Sequence, residues 1–336
     1  MNKEYKTVDE MIDYLRENKR IIVSDEYRKV FEERSYISLI NPYKEFFSYG
    51  RNEKGEHIYP VETDFEKIMS LIKIDDDFSR LMYLYIGIFE KKFKNLLFEE
   101  ICLKYVVNDD KDCLGYVDEI KDFLLTLDYN LLPKFCPNFR YTISKKHGYV
   151  VDEYQVDSRL NVLKHIEEIA TGFKDDGTTA DISNRLINHY LKTQSYTPLW
   201  AIPNALTLGE LNSLYAMLDS DGQKRIIMKV FGFNDFIKID YKKIISFCGQ
   251  LEMIRRMRNI VNHYEPIFPL LFSELKPIKK IHNSQIVSVM ELLEYTYSES
   301  ILCNSRLDNV EIEKNVFNSK YLKILDYICN MISTNK

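Results

Sequence analysis

The run IRRMRNIVNHYEP, residues 254–266, concentrates polar chemistry in an otherwise apolar helical pattern. Ile244, Phe247, Leu251, Ile254, position 258 and Val261 are spaced 3, 4, 3, 4, 3, an apolar seam at coiled-coil spacing. Arg258 stands where that seam calls for leucine or isoleucine. A charge there costs free energy unless it is paired or faces a wet cleft. Asn259 and His263 are i, i+4 neighbours, as are Arg258 and Asn262. Pro266 forbids continuation, so His263 is expected in the last turn. Arginine offers a permanent bidentate fork for a phosphate. Histidine moves protons near neutral pH. The combination suits in-line attack of a ribose 2′-OH on its own phosphodiester, a cleavage of RNA that needs no metal. Asn259 and Asn262 could hold the imidazole or a phosphate oxygen. Arg255 and Arg256 read as phosphate-steering or solvated. The bland alternative is a polar helix end whose cations complement the dipole.

Five residues separate Arg258 from His263, which at helical pitch turns them roughly 140° apart. One helix does not aim both at a single phosphate. A second copy packed across a two-fold axis would, so a homodimer is expected.

The elements that must position this run are helices. Val8, Met11, Ile12 and Leu15 follow helical spacing, as do Phe65, Ile68, Met69 and Ile72. One long stripe joins Phe78, Leu81, Met82, Tyr85, Ile88, Phe89, Phe93 and Leu96. TLGE, residues 207–210, is a capping box. Further helical patterns lie near 117–130, 159–172, 181–193, 221–231, 240–263, 284–302 and 311–333. Residues 140–156 alternate in part around Gly148 and could form a small hairpin, whereas 52–61 read as a loop. Trp200, between two prolines, reads as a core anchor in preference to a base-stacking platform. The expected class is all-α. The expected blocks are an N-terminal helical part over 1–104, an irregular insertion over 105–180, and a C-terminal helical part over 181–336, as pieces of one composite domain.

Composition narrows the function. With 46 basic and 51 acidic residues among 336, the net charge is −5, so any nucleic-acid contact must use a local patch. Arg140, Lys145, Lys146 and His147, interleaved with Phe139, Tyr141 and Tyr149, are one candidate for RNA; a solvated hairpin is the alternative. The six cysteines show no C-x-x-C spacing. His57, His147, His165, His189 and His282 lack ligand spacing, so no metal or other cofactor is expected. The charged N-terminus has no apolar signal core and no apolar run is long enough to span a bilayer. A reducing cytoplasm without membrane contact is expected.

RNIVNH, residues 258–263, resembles the R-x4-6-H motif of the HEPN superfamily of α-helical ribonucleases. Residues 6–47, with two helices and a Tyr-rich segment, resemble the opening of the Abi-like (AbiD/AbiF) abortive-infection family. DDDFSRLMYLYIGIFEKKFKNLL, 75–97, resembles its second block, with Asp77, Arg80 and Glu90 in place. PLWAIPNALTLGELNSLY, 198–215, resembles its third. The order of the blocks also fits, leaving aside 105–180. The resemblance implies a HEPN-type helical bundle with additional N-terminal helices and a small insertion. It implies a metal-independent endoribonuclease of phage defence, dimeric, working with a structured non-coding RNA as guide or antitoxin. Arg258 and His263 would be catalytic. Glu90 would pair with Arg258 or orient the site, unless it belongs to an ordinary charged helix face. A catalytically silent RNA-binding protein and an adaptor in a defence complex are the alternatives.

Overall fold

The computed structural model describes residues 5–53, 55–60, 63–106, 141–144, 148–151, 155–233, 236, 239–275 and 285–302. These are mostly helical, as the 3.6-residue periodicity predicts. They form two compact units that interleave along the chain. The first takes its described residues from Met1–Ile86, Arg256–Glu294 and Ser298–Lys336; the second takes them from Gly87–Arg255 and Tyr295–Tyr297.

The first unit opens with α1 (Val8–Lys19), capped by a box that the sequence motif TVDE encodes. The Thr7 amide donates to Glu10 Oε2 at 2.7 Å and the Glu10 amide returns to Thr7 Oγ1 at 3.4 Å. Next come β1 (Ile21–Ile22), α2 (Arg28–Glu33), α3 (Tyr36–Leu39) and α4 (Lys44–Phe47). The chain then forms β2 (Gly50–Arg51), β3 (His57–Ile58) and β4 (Thr63–Asp64). β1 pairs parallel with β4, and β2 pairs antiparallel with β3. The 52–61 stretch, expected as a plain loop, thus contains β3 of a short hairpin. Gly55 supplies the left-handed turn residue at φ 76°. α5 (Phe65–Val106) begins in this unit, as the stripe of residues 65–72 predicts, and runs on into the second. Phe65 packs against Phe31 at 4.9 Å between ring centres, and Phe46 against Phe268 at 4.3 Å.

The second unit contains the rest of α5, the hairpin β5 (Tyr141–Ser144) and β6 (Gly148–Val151), and α6 (Val156–Thr171). The hairpin has the antiparallel register Tyr141↔Val151 to Ser144↔Gly148, as the alternation around Gly148 predicts. α7 (Arg185–Gln194), α8 (Leu208–Met217), α9 (Ser220–Phe231) and most of α10 (Tyr241–Asn262) complete it. α8 starts at the expected capping box, with Thr207 and Glu210 reciprocating. The core is an aromatic cluster: Phe93 lies 6.0 Å from Tyr215 and 6.2 Å from Phe247, and Tyr215 lies 5.2 Å from Phe247. In the same unit, buried Glu100 accepts both 3.0 Å bonds from Arg225 Nε. Among the described residues, α11 (Phe268–Leu275) belongs to the first unit. α12 (Gln285–Leu302) belongs to it as well, apart from Tyr295–Tyr297.

Trp200 departs from its expected role as a core anchor. It is 57% exposed, because Leu199, Ala201, Ile202 and Pro203 around it already fill the buried positions.

Candidate functional site

α10 carries the R-x4-H run at its C-terminal end. Its seam is formed as the spacing predicts: Ile244, Phe247, Leu251, Ile254 and Val261 are all buried. They are buried within the chain itself, so the seam is not left open for a partner helix. Arg258 interrupts it and is only half-buried. With the Asn262 amide oxygen turned toward the guanidinium, that oxygen accepts from Arg258 Nε at 3.2 Å and Nη1 at 3.3 Å. The i, i+4 spacing puts these groups one turn apart. The Asn262 amide thus helps to fix the direction of the Arg258 guanidinium.

Arg256, Asn259 and His263 are exposed and share another face of the helix, spaced 3 and 4. His263 is not inside the last turn: α10 ends at Asn262, and His263 is the cap residue beyond it. Its amide still bonds to the Asn259 and Ile260 carbonyls, both at 3.2 Å. The Glu265 amide then reaches back to the Ile260 carbonyl at 3.0 Å, and the Tyr264 amide to the Val261 carbonyl at 3.3 Å. These two bonds make a Schellman ending. Such an ending needs a left-handed residue, and α6 and α9 use Gly172 and Gly232 there. α10 uses Tyr264 at φ 55°, a costly choice for a side chain with a Cβ. No glycine marks this point in the sequence, so the early stop is invisible to pattern reading.

The segment beyond the motif is anchored by a residue that sequence reasoning overlooked. Asp75 on α5 is 1% exposed. Its Oδ1 accepts from the Phe268 amide at 3.1 Å and its Oδ2 from the Tyr43 hydroxyl at 2.7 Å. Phe268 opens α11, so Asp75 caps that helix from a distant part of the chain. Burial pushes the carboxyl up to about 7, against the pull of the Tyr43 and Phe268 hydrogen bonds. Its signal is hidden among its neighbours in DDDF: Asp77, which the resemblance of the 75–97 block picks out, makes an exposed pair with Arg80 at 3.5 Å.

The remaining candidates differ in their surroundings. Arg255 is clamped by Glu252, with bonds of 2.6 and 2.7 Å, which offsets its charge. It lines a cavity of about 670 Å³ in the second unit with Arg159, Glu210, Asn212 and Cys248. None of residues 258–263 lines this cavity. They sit at a helix end that includes exposed positions, which suits a polymer better than an enclosed small molecule. Within the cavity, burial pushes the Cys248 thiol up to about 12, so it is no ready nucleophile. His165 is raised by its 2.5 Å bond to Glu210. Burial pushes Glu210 upward, but bonds from His165 and Thr207 win and hold it low. Glu90 is half-buried and ion-paired with Lys94 at 2.9 Å. Arg140, Lys145 and Lys146, with Phe139 and His147, lie outside the described residues. Among the described residues no group of three His, Cys, Asp or Glu is placed to hold a metal, and no helix is long and apolar enough to cross a membrane.

Comparison with known proteins adds one result. No curated protein and no solved structure gives a significant match. The Abi-like protein family matches over residues 29–269, a span that includes the 75–97 and 198–215 blocks and all of the 258–263 motif. It also runs through 105–180, and its first residue falls inside the 6–47 opening. Membership of this family suggests a part in abortive infection, a phage-defence response. With more than half of its length matched, this chain belongs to the Abi-like protein family.

Proposed function

We propose that this protein is a metal-independent endoribonuclease of the HEPN type, acting in phage defence as a homodimer. The observation that carries the reading is Arg258. It occupies a seam position, is only half-buried, is contacted by the Asn262 amide, and lies five residues from an exposed histidine.

The chemistry balances with groups the chain and substrate already own. The substrate 2′-OH attacks the adjacent phosphorus as its proton passes to a base, and the P–O5′ bond breaks. The 5′ oxygen takes up a proton, leaving a 2′,3′-cyclic phosphate and a 5′-OH. His263 is the group able to carry protons in either step near neutral pH. Arg258 stabilises the charge that builds on the phosphoryl oxygens. Asn262 sets the guanidinium direction, and Asn259 and Arg256 share the exposed face with His263. The two key side chains diverge around one helix, so the complete site is assigned to two copies across a two-fold axis. Since the apolar seam is already filled, that contact would use the polar face of α10.

Cleavage of a single-stranded RNA should survive EDTA and fail on the same sequence as DNA or as 2′-O-methyl RNA. Loss of cleavage in EDTA, or cutting of the 2′-O-methyl strand, contradicts the mechanism. The shared site has its own check. Arg258→Ala and His263→Ala proteins, each inactive, should recover activity when allowed to exchange subunits, to roughly a quarter of wild type, because half the dimers are mixed and each restores one of two sites. No recovery despite exchange would assign the site to one chain. Toxicity on expression should follow cleavage. A second reading, RNA binding without cutting, draws on the divergence of Arg258 and His263 in a single chain. A structured RNA that co-purifies with the protein and dissociates with rising salt is expected on both.

A further inference from the structure

Trp200 is held in the open by an unusually firm support. The Ala201 amide closes a turn onto the Pro198 carbonyl at 2.9 Å. Just before it, Thr197 is fully buried and ties the loop to α6: its hydroxyl donates to the Ile169 carbonyl at 2.7 Å and its amide to the Ala170 carbonyl at 2.9 Å. From the other side, the Asn184 side chain that caps α7 donates to the Asn204 carbonyl at 2.9 Å. Between these anchors the indole rests against Tyr190 edge to face, 5.5 Å between ring centres and 86° apart. Tyr190 in turn meets His189 at 5.7 Å. An isolated exposed hydrophobe needs no explanation, but a large aromatic fixed outward at both ends presents a flat ring ready for use.

The stretch of chain that carries this ring is one-sided in charge. From residue 182 to 209 the chain contains no Asp or Glu, although its net charge is −5. The same stretch carries Arg185 and Lys192, both exposed. Together with exposed His189 they are spaced 4 and 3 along α7, which puts them on one helix face. An exposed tryptophan packed on a helix that also carries a cationic row offers the two ingredients of single-strand nucleic-acid binding: bases stack on the ring and phosphates track the cations.

We propose that Trp200, Tyr190 and the Arg185–His189–Lys192 face of α7 form a contact for unpaired bases of an RNA strand, separate in role from Arg258 and His263. The choice of RNA rests on the ribonuclease reading; the stacking surface itself does not. Base stacking on Trp200 would fix the strand regardless of sequence, while the α7 cations set its salt dependence.

Trp200 is the single tryptophan of the chain, so its emission reports on this patch alone. The full-length His263→Ala protein is titrated with a labelled, unstructured oligouridylate, with anisotropy read in parallel. Tryptophan quenching should track the anisotropy. Trp200→Ala should weaken binding on the order of 10- to 100-fold, and Trp200→Phe should retain most of it. Lys192→Gln should lower the salt slope by about one phosphate contact. Binding by anisotropy with unchanged tryptophan emission, and unchanged affinity in Trp200→Ala, overturns this contact while leaving the RNA reading intact. Absence of any RNA binding overturns both. Quenching equal for oligouridylate and oligothymidylate supports the stacking surface, since stacking ignores the 2′-OH. Quenching in a wild-type protein that cuts no RNA keeps the contact and favours the binding-only reading.

Discussion

The two ends of α10 follow one apolar spacing and spend it differently. Between Tyr241 and Arg255, every seam position is apolar and buried, and the charged Arg255 is neutralised by Glu252 within the same helix. Phe247 there joins Phe93 and Tyr215 in the aromatic core. From Arg256 onward the seam admits Arg258, the outer face gathers Arg256, Asn259 and His263, and the helix ends on a left-handed tyrosine. The first end is what a helix looks like when packing alone decides its residues. The second holds a charge in the seam, a polar face and a left-handed tyrosine cap within nine residues. Such departures from local consistency concentrate where function overrides stability.

Substitutions at the two ends should therefore fail in different ways. His263→Ala should cut the cleavage rate about 10²–10⁴-fold, and Arg258→Ala should cost about 3–4 kcal/mol of transition-state stabilisation, with melting little changed in either. Phe247→Ala, at the other end, should lose about 3–5 kcal/mol of stability. Below its melting temperature it should keep its rate per folded molecule, so a denaturation curve run beside a kinetic assay separates the two classes. If Arg258→Ala melts as early as Phe247→Ala, Arg258 is a structural residue and the contrast collapses.

Asp75 sharpens the contrast through pH. Its folded-state carboxyl titrates at about 7, well above an ordinary aspartate, because it is buried. From about pH 4 to 7 the unfolded chain has released a proton that the folded chain still holds, so stability falls as pH rises across that window and levels off above it. Asp75→Asn should flatten this slope, removing a penalty on the order of 2–4 kcal/mol at neutral pH, offset by whatever the new amide leaves unpaired. Chemical denaturation at several pH values reads this directly; an unchanged slope means another group is responsible. The smallest effect belongs to the cap of α8. Thr207→Ala should cost about 1 kcal/mol and leave cleavage intact, because the Thr207 side chain bonds within its own capping box.

Much of this is legible in the residue pattern alone. The seam of α10, the long stripe of α5, the TLGE box and the hairpin around Gly148 each follow from periodicity or turn chemistry, which are local. The R-x4-H run stands out because a charge in a seam contradicts its surroundings, and Arg258 is indeed half-buried at that position. Three features are not legible there, for reasons that the pattern does not carry. Asp75 is one carboxylate among three in a row, and only the return of Phe268 from 193 residues away shows which of them is buried. Trp200 looks like an anchor because tryptophan usually is one, yet its neighbours take the buried positions first. The end of α10 falls at Asn262 instead of at His263 because backbone bonds to Ile260 and Val261 close it, and Tyr264 carries no pattern that announces a left-handed turn.

The central claim is that Arg258 and His263 act together on an RNA phosphate. The most direct measurement is the chemical nature of the ends made from one defined RNA in EDTA by the wild type and the two alanine variants, read by mass spectrometry. The wild type should leave 2′,3′-cyclic phosphates, or the phosphates from their hydrolysis, opposite 5′-hydroxyls, and neither variant should produce them above background. Wild-type ends from the His263→Ala protein, or 5′-phosphates from the wild type, would contradict it.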